Sequence, residues 1–104
     1  MTNIITAYCA CTLCCGPHAA GITASGVAPV AGITVAGPRR YPFGTRVQIG
    51  TNIYTVQDRT ARRHDGEWDI YFTSHAAARQ FGRRLLTVRI LFDNTTRGPA
   101  TAGP

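Results

Sequence analysis

Apolar positions along this chain come in short bursts, and most alternate with polar ones. Arg46-Val47-Gln48-Ile49 alternates strictly, as a half-buried strand does. Gly50-Thr51-Asn52 predicts a hairpin turn into a second strand over Ile53-Tyr54-Thr55-Val56-Gln57. Asn3 to Tyr8 predicts a first strand, and Gly32-Ile33-Thr34-Val35-Ala36 another that stops at Gly37-Pro38. Trp68-Asp69-Ile70-Tyr71-Phe72 reads as a strand with one acid embedded in it, and Leu85 to Phe92 as a strong final strand. Thr23-Ala24-Ser25-Gly26 and Tyr41-Pro42-Phe43-Gly44-Thr45 carry turn chemistry. Arg59 to Glu67 reads as a polar loop. Helical character is confined to Ser74 to Phe81, where Ser74 can cap, alanines favour the helix and Gly82 can close it. Six or seven short strands with one small helix point to an all-β, closed or nearly closed barrel, because closure removes unpaired strand edges.

Length fits this picture. A chain of 104 residues supports one compact domain with a modest core. The expected division is a barrel over residues 1–93 and a loose tail over residues 94–104, rich in Thr, Gly and Pro. No transmembrane run and no signal-peptide pattern is visible, the opening Met1-Thr2-Asn3-Ile4-Ile5 lacking a charged segment and a long apolar one.

Charge adds a constraint on partners. The net charge is +6 and all eleven basic residues are arginines. Such a surface suits nucleic acid, an acidic polymer or a membrane surface. The arginines are spread along the chain with no aromatic-and-basic readout motif, so nucleic acid is not the expected partner.

All four cysteines fall in Cys9-Ala10-Cys11-Thr12-Leu13-Cys14-Cys15. Two local disulfides are the favoured reading and imply an oxidising compartment. A thiolate site, with structural zinc its occupant, is the alternative. Cys11 and Cys14 have the spacing for either, but the second ligand pair of the usual structural zinc site is missing. His18 is a further possible ligand, more simply a solvated loop residue.

The chain has only five acids. Asp93 reads as a turn residue, and Asp65 and Glu67 as solvated loop residues. Asp58 ends a strand and can pair with neighbouring arginines. Asp69 differs, because it lies between Trp68 and Ile70. Either it faces solvent near Arg62 or Arg63, or it lines a cleft, where partial burial raises its pKa as a general acid requires.

Pro42-Phe43-Gly44-Thr45, Gln57-Asp58-Arg59-Thr60, Trp68-Asp69-Ile70-Tyr71-Phe72, Ser74-His75-Ala76 and Phe81-Gly82-Arg83-Arg84, in that order, resemble the 3D (three-aspartate) domain. Thr6-Ala7-Tyr8-Cys9, Cys14-Cys15-Gly16 and Thr23-Ala24-Ser25-Gly26 resemble a cysteine-containing subgroup. The likeness spans about residues 6–92 and extends to the catalytic barrel of lytic transglycosylase A and the stationary-phase-survival wall enzymes. It implies a six-stranded double-psi β-barrel and cleavage of β-1,4 bonds in peptidoglycan, with no catalytic cofactor. By position, Asp69 matches the acid that protonates the glycosidic oxygen, and Asp58 a second cleft aspartate. Trp68, Tyr71 and His64 are the expected substrate contacts, with core packing the competing role for the two aromatics, and His75 is expected to cap or pack near the helix start. Such an enzyme is secreted, periplasmic or phage-released.

Two positions depart from the pattern. Gly37 stands where the family's first aspartate does, and Thr60-Ala61-Arg62-Arg63-His64-Asp65-Gly66 replaces its glycine-rich loop. The looser likeness to expansins suggests a barrel that binds polysaccharide without cutting it. Family-45 endoglucanases are also similar, but their general base would fall near Ala10.

Overall fold

In the computed structural model, residues 2–9 and 22–92 are described. The strands are β1 (Thr2–Tyr8), β2 (Thr34–Gly37), β3 (Arg46–Ile49), β4 (Asn52–Arg59), β5 (Trp68–Tyr71) and β6 (Arg84–Phe92). A 3₁₀ turn, Arg62–His64, precedes β5, and one α-helix, α1 (His75–Phe81), follows it.

The strands close into a barrel in the order β1-β5-β2-β4-β3-β6. Pairing is mixed: β1 with β5 and β2 with β4 are parallel, and the other pairs are antiparallel. β1 and β2, consecutive in sequence, flank β5, while β4 and β5 flank β2. The result is a closed, six-stranded mixed barrel with one short helix, as the strand count led us to expect.

Alternation decides which side chains fill it. Val47 and Ile49 of β3, Tyr54 and Val56 of β4, and Trp68 and Ile70 of β5 point inward. With Ile5, Val35 and Val88 they form one core. Arg46, Thr55 and Asp69 fall in the opposite phase and face outward or into the outer cleft. Gly50, at φ 64°, turns β3 into β4, and the pairing of Ile49 with Asn52 makes the hairpin turn two residues long, Gly50-Thr51, with the expected turn residue Asn52 already in β4.

The parallel β2–β4 ladder carries a bulge. Val35 pairs with Val56, but Ala36 pairs with Asp58, leaving Gln57 as the extra residue. A bulge re-aims the side chain that follows it, here Asp58. α1 begins as the sequence predicts: Ser74 Oγ accepts from Ala77 N–H at 3.1 Å. It ends at Gly82, whose φ of 69° suits glycine. The helix packs on β1 through Ala78, and Phe81 rests on Phe72 with ring centres 5.4 Å apart.

Cys11, Cys14, Cys15 and His18 lie outside the described residues, as do Asp93 and the expected tail, so the expected disulfides or zinc site fall there apart from Cys9. No helix among the described residues is long and apolar enough to cross a membrane.

Candidate functional site

The outward phase of β5 opens onto a cleft of about 810 Å³, walled by β1, the end of β4, the Arg62–His64 turn and α1. Asp58, Glu67 and Asp69 all line it, with His64, His75 and four arginines: Arg59, Arg63, Arg79 and Arg83.

Asp69 sits in the wall where β5 is flanked on both sides. Thr6 on β1 and Ala36 on β2 are its partners in register. Thr6 Oγ1 donates to Asp69 Oδ1 at 2.9 Å. Burial pushes the Asp69 pKa up to about 6, and the Thr6 hydrogen bond opposes this. The charges of Asp58 and Glu67 raise it further, and His64 lowers it. A carboxyl in this state can hold a proton close to neutrality and can also give it up.

Asp58 is built differently. Its Oδ2 accepts from the Tyr8 hydroxyl at 2.8 Å. Its Oδ1 accepts from the backbone N–H groups of Ala24 and Arg59, each at 2.9 Å. Three donors fix a charged oxygen pair in one orientation. The alternative expected for it, pairing with neighbouring guanidinium groups, is not formed: the Arg59 guanidinium lies 4.2 Å over the Phe43 ring and donates to the Pro38 carbonyl at 3.2 Å. Asp58 therefore ties β1, the Thr23–Gly26 turn and β4 together at the cleft edge and sets a fixed negative charge near Asp69.

The other expected contacts divide. His64 is in the cleft wall, between Arg63 and Glu67: Arg63 Nε is 3.2 Å from His64 Nε2, and His64 Nδ1 is 3.5 Å from Glu67 Oε2. Trp68, expected to stack on a sugar ring, is instead only 2% exposed and packs in the core. Its indole stacks on Tyr41, ring centres 5.5 Å apart. Strand phase explains this, since the neighbour of an outward Asp69 must point inward. Tyr71 is half-buried, meets Tyr8 edge-on at 5.6 Å, and is not part of the cleft lining. His75 lines the cleft at the start of α1, with its Nδ1 3.8 Å from the buried Cys9 Sγ. Among the described residues no three of His, Cys, Asp and Glu group to hold a metal ion.

Glu67, expected as a solvated loop residue, and Thr6 and Tyr8, to which the sequence assigned no role, all line the cleft. Glu67 had a usable signal: it stands two positions before Asp69, in phase with it. A second hollow of about 310 Å³, beside Tyr41 and Trp68, offers less chemistry. Its carboxylate, Asp65, is engaged by Arg39 through the backbone N–H at 2.9 Å and the guanidinium at 3.3 Å.

No protein-family model matches this chain, and no curated protein matches it in sequence. The functional reading of the cleft therefore stands on its residues and on the motif resemblance.

Proposed function

We propose that the protein cleaves β-1,4 glycosidic bonds of peptidoglycan as a lytic transglycosylase of the 3D-domain kind, with Asp69 as its acid and base. The observation that carries this reading is the environment of Asp69: a largely buried carboxyl on a cleft wall, held by Thr6 and placed near a fixed Asp58 charge. Protonated Asp69 gives its proton to the glycosidic oxygen as the bond from C1 breaks. The muramyl 6-hydroxyl then attacks C1, and its proton passes to the Asp69 carboxylate, which closes the cycle with a 1,6-anhydro product. Asp58 would stabilise the positive charge that develops on the ring. The arginines on the rim suit an anionic wall polymer. A secreted, periplasmic or phage-released location goes with this activity.

A second reading, polysaccharide binding without cleavage, draws support from Gly37. The first aspartate of the family pattern is absent there, and the space beside Gly37 is filled by Trp68.

Product analysis separates the two. Wild-type protein and Asp69→Asn are incubated with peptidoglycan sacculi and the released fragments are weighed by mass spectrometry. Anhydro-muropeptides from the wild type alone are expected. Release that is equal for both proteins removes Asp69 from the chemistry, and sedimentation with the sacculi without release favours the binding barrel.

A further inference from the structure

Glu67 immediately precedes β5 and stands two positions before Asp69, at the end of the turn in which its N–H donates to the His64 carbonyl at 2.9 Å. Both line the cleft. Two residues of chain hold their Cα atoms no more than about 7 Å apart, and from there the longer Glu67 side chain can open the two carboxyl groups to the spacing of an acid–base pair. Inverting glycosidases place their acid and base about 6.5–9.5 Å apart, which leaves room for a water, whereas retaining enzymes hold them at about 5–5.5 Å.

We propose that Glu67 is a second catalytic carboxylate, the base that activates water, so that the cleft also hydrolyses its glycan with inversion at C1. This rests on the reading that Asp69 protonates the glycosidic oxygen. The C1–oxygen bond breaks as Asp69 transfers its proton to the glycosidic oxygen, which departs as a hydroxyl of the leaving sugar. A water oxygen bonds to C1 from the opposite face, and the water's proton passes to the Glu67 carboxylate. Asp69 is left ionised and Glu67 protonated, and a proton returned through solvent resets both.

Glu67 is equipped for this work. Its side chain is 26% exposed, so water reaches it, and His64 Nδ1 lies 3.5 Å from Oε2. Arg63 donates to His64 Nε2. That acceptor role puts the ring proton on Nδ1, the nitrogen facing the carboxylate. Arg63 therefore holds the His64 ring with Nδ1 toward the Glu67 carboxylate. Asp58 is a poorer base, because its oxygens already accept three hydrogen bonds.

The test is the partition of products from sacculi, since a hydrolysed reducing end is one water heavier than its anhydro counterpart. Wild type is expected to release both, the hydrolysed end appearing first as the α-anomer by NMR. In Glu67→Gln the ratio of hydrolysed to anhydro product should fall by a factor of about 100 or more. The ratio is insensitive to any shared change in Asp69 or in folded fraction. His64→Ala should lower the same ratio, and His64→Asn, whose amide nitrogen can take the place of Nδ1, should restore it. Anhydro product alone from the wild type, or an unchanged ratio in Glu67→Gln, overturns the role of Glu67 and leaves that of Asp69 standing. No fragments of either kind from the wild type overturns both.

Discussion

A Cβ on Gly37 would stand 2.8 Å from Cζ3 of the buried Trp68 ring, and 3.3 Å from Cγ2 of Val56. Gly37 and Trp68 thus share one volume: β2 gives up a side chain so that β5 can place an indole in the core. The ring cannot move aside cheaply, because Tyr41 stacks on it. Gly37→Ala should destabilise the fold by about 1–3 kcal/mol through overpacking, and Gly37→Asp by more, since it also buries a charge. Urea unfolding checks this. The Gly37→Ala penalty should shrink in a Trp68→Leu background, giving a coupling that a double-mutant cycle detects.

Asp69 predicts an unusual pH dependence of stability. Its pKa is raised from 3.8 to about 6 in the folded protein, so between those values the folded state binds more protons than the unfolded one. Stability from this group is therefore lost as pH rises through that window. Asp69→Asn removes the cost of the buried charge. It should be more stable than wild type at pH 8 by on the order of 1–3 kcal/mol. The gain should vanish near pH 4. Denaturant midpoints of the two proteins across pH give the comparison, and an advantage equal at both ends would contradict the assigned burial of the carboxyl.

The strands were legible because period-two alternation is written locally. Arg46–Ile49 shows it without interruption, and both ends of α1 were visible in Ser74 and Gly82. Asp69 stood out for the same reason, as an acid in the off-phase of an apolar strand. What local pattern does not carry is which strand lies beside which. Thr6 reaches Asp69 across 63 positions of sequence because barrel closure sets β1 parallel to β5. A threonine on a strand gives no hint of that partner. Glu67 was read with the polar loop, and its N–H does close a turn onto His64, but it adjoins β5 and so reaches the cleft that Asp69 lines. Trp68 lies in the core partly because a glycine on β2 makes room, a relation between residues 31 positions apart that neither shows alone.

Thr6 should tune the acid. Its hydroxyl donates to Asp69 Oδ1 and stabilises the ionised form. Thr6→Val keeps the shape, removes the donor and should move the Asp69 pKa above about 6. The carboxyl carbon of Asp69, followed by NMR through a pH titration, reports this directly. In the cleavage assay the high-pH limb, where the acid loses its proton, should shift upward by the same amount. A titration that is unchanged or moves downward would remove Thr6 from the control of Asp69.

Asp58 should act in the opposite direction and also carry structural weight. Its charge raises the Asp69 pKa, so Asp58→Asn should lower it, opposite in sign to Thr6→Val. The same substitution replaces one of the two oxygens that accept from Tyr8, Ala24 and Arg59, and should cost about 1–3 kcal/mol in stability. Tyr8→Phe separates the two effects. It removes one donor and leaves the carboxylate, so a loss of about 0.5–1.5 kcal/mol is expected while Asp58 keeps its charge beside Asp69. Paired measurements of unfolding and of the Asp69 titration in both variants test the division. If Tyr8→Phe lowers the Asp69 pKa as far as Asp58→Asn does, Asp58 acts through the local fold and not through its charge.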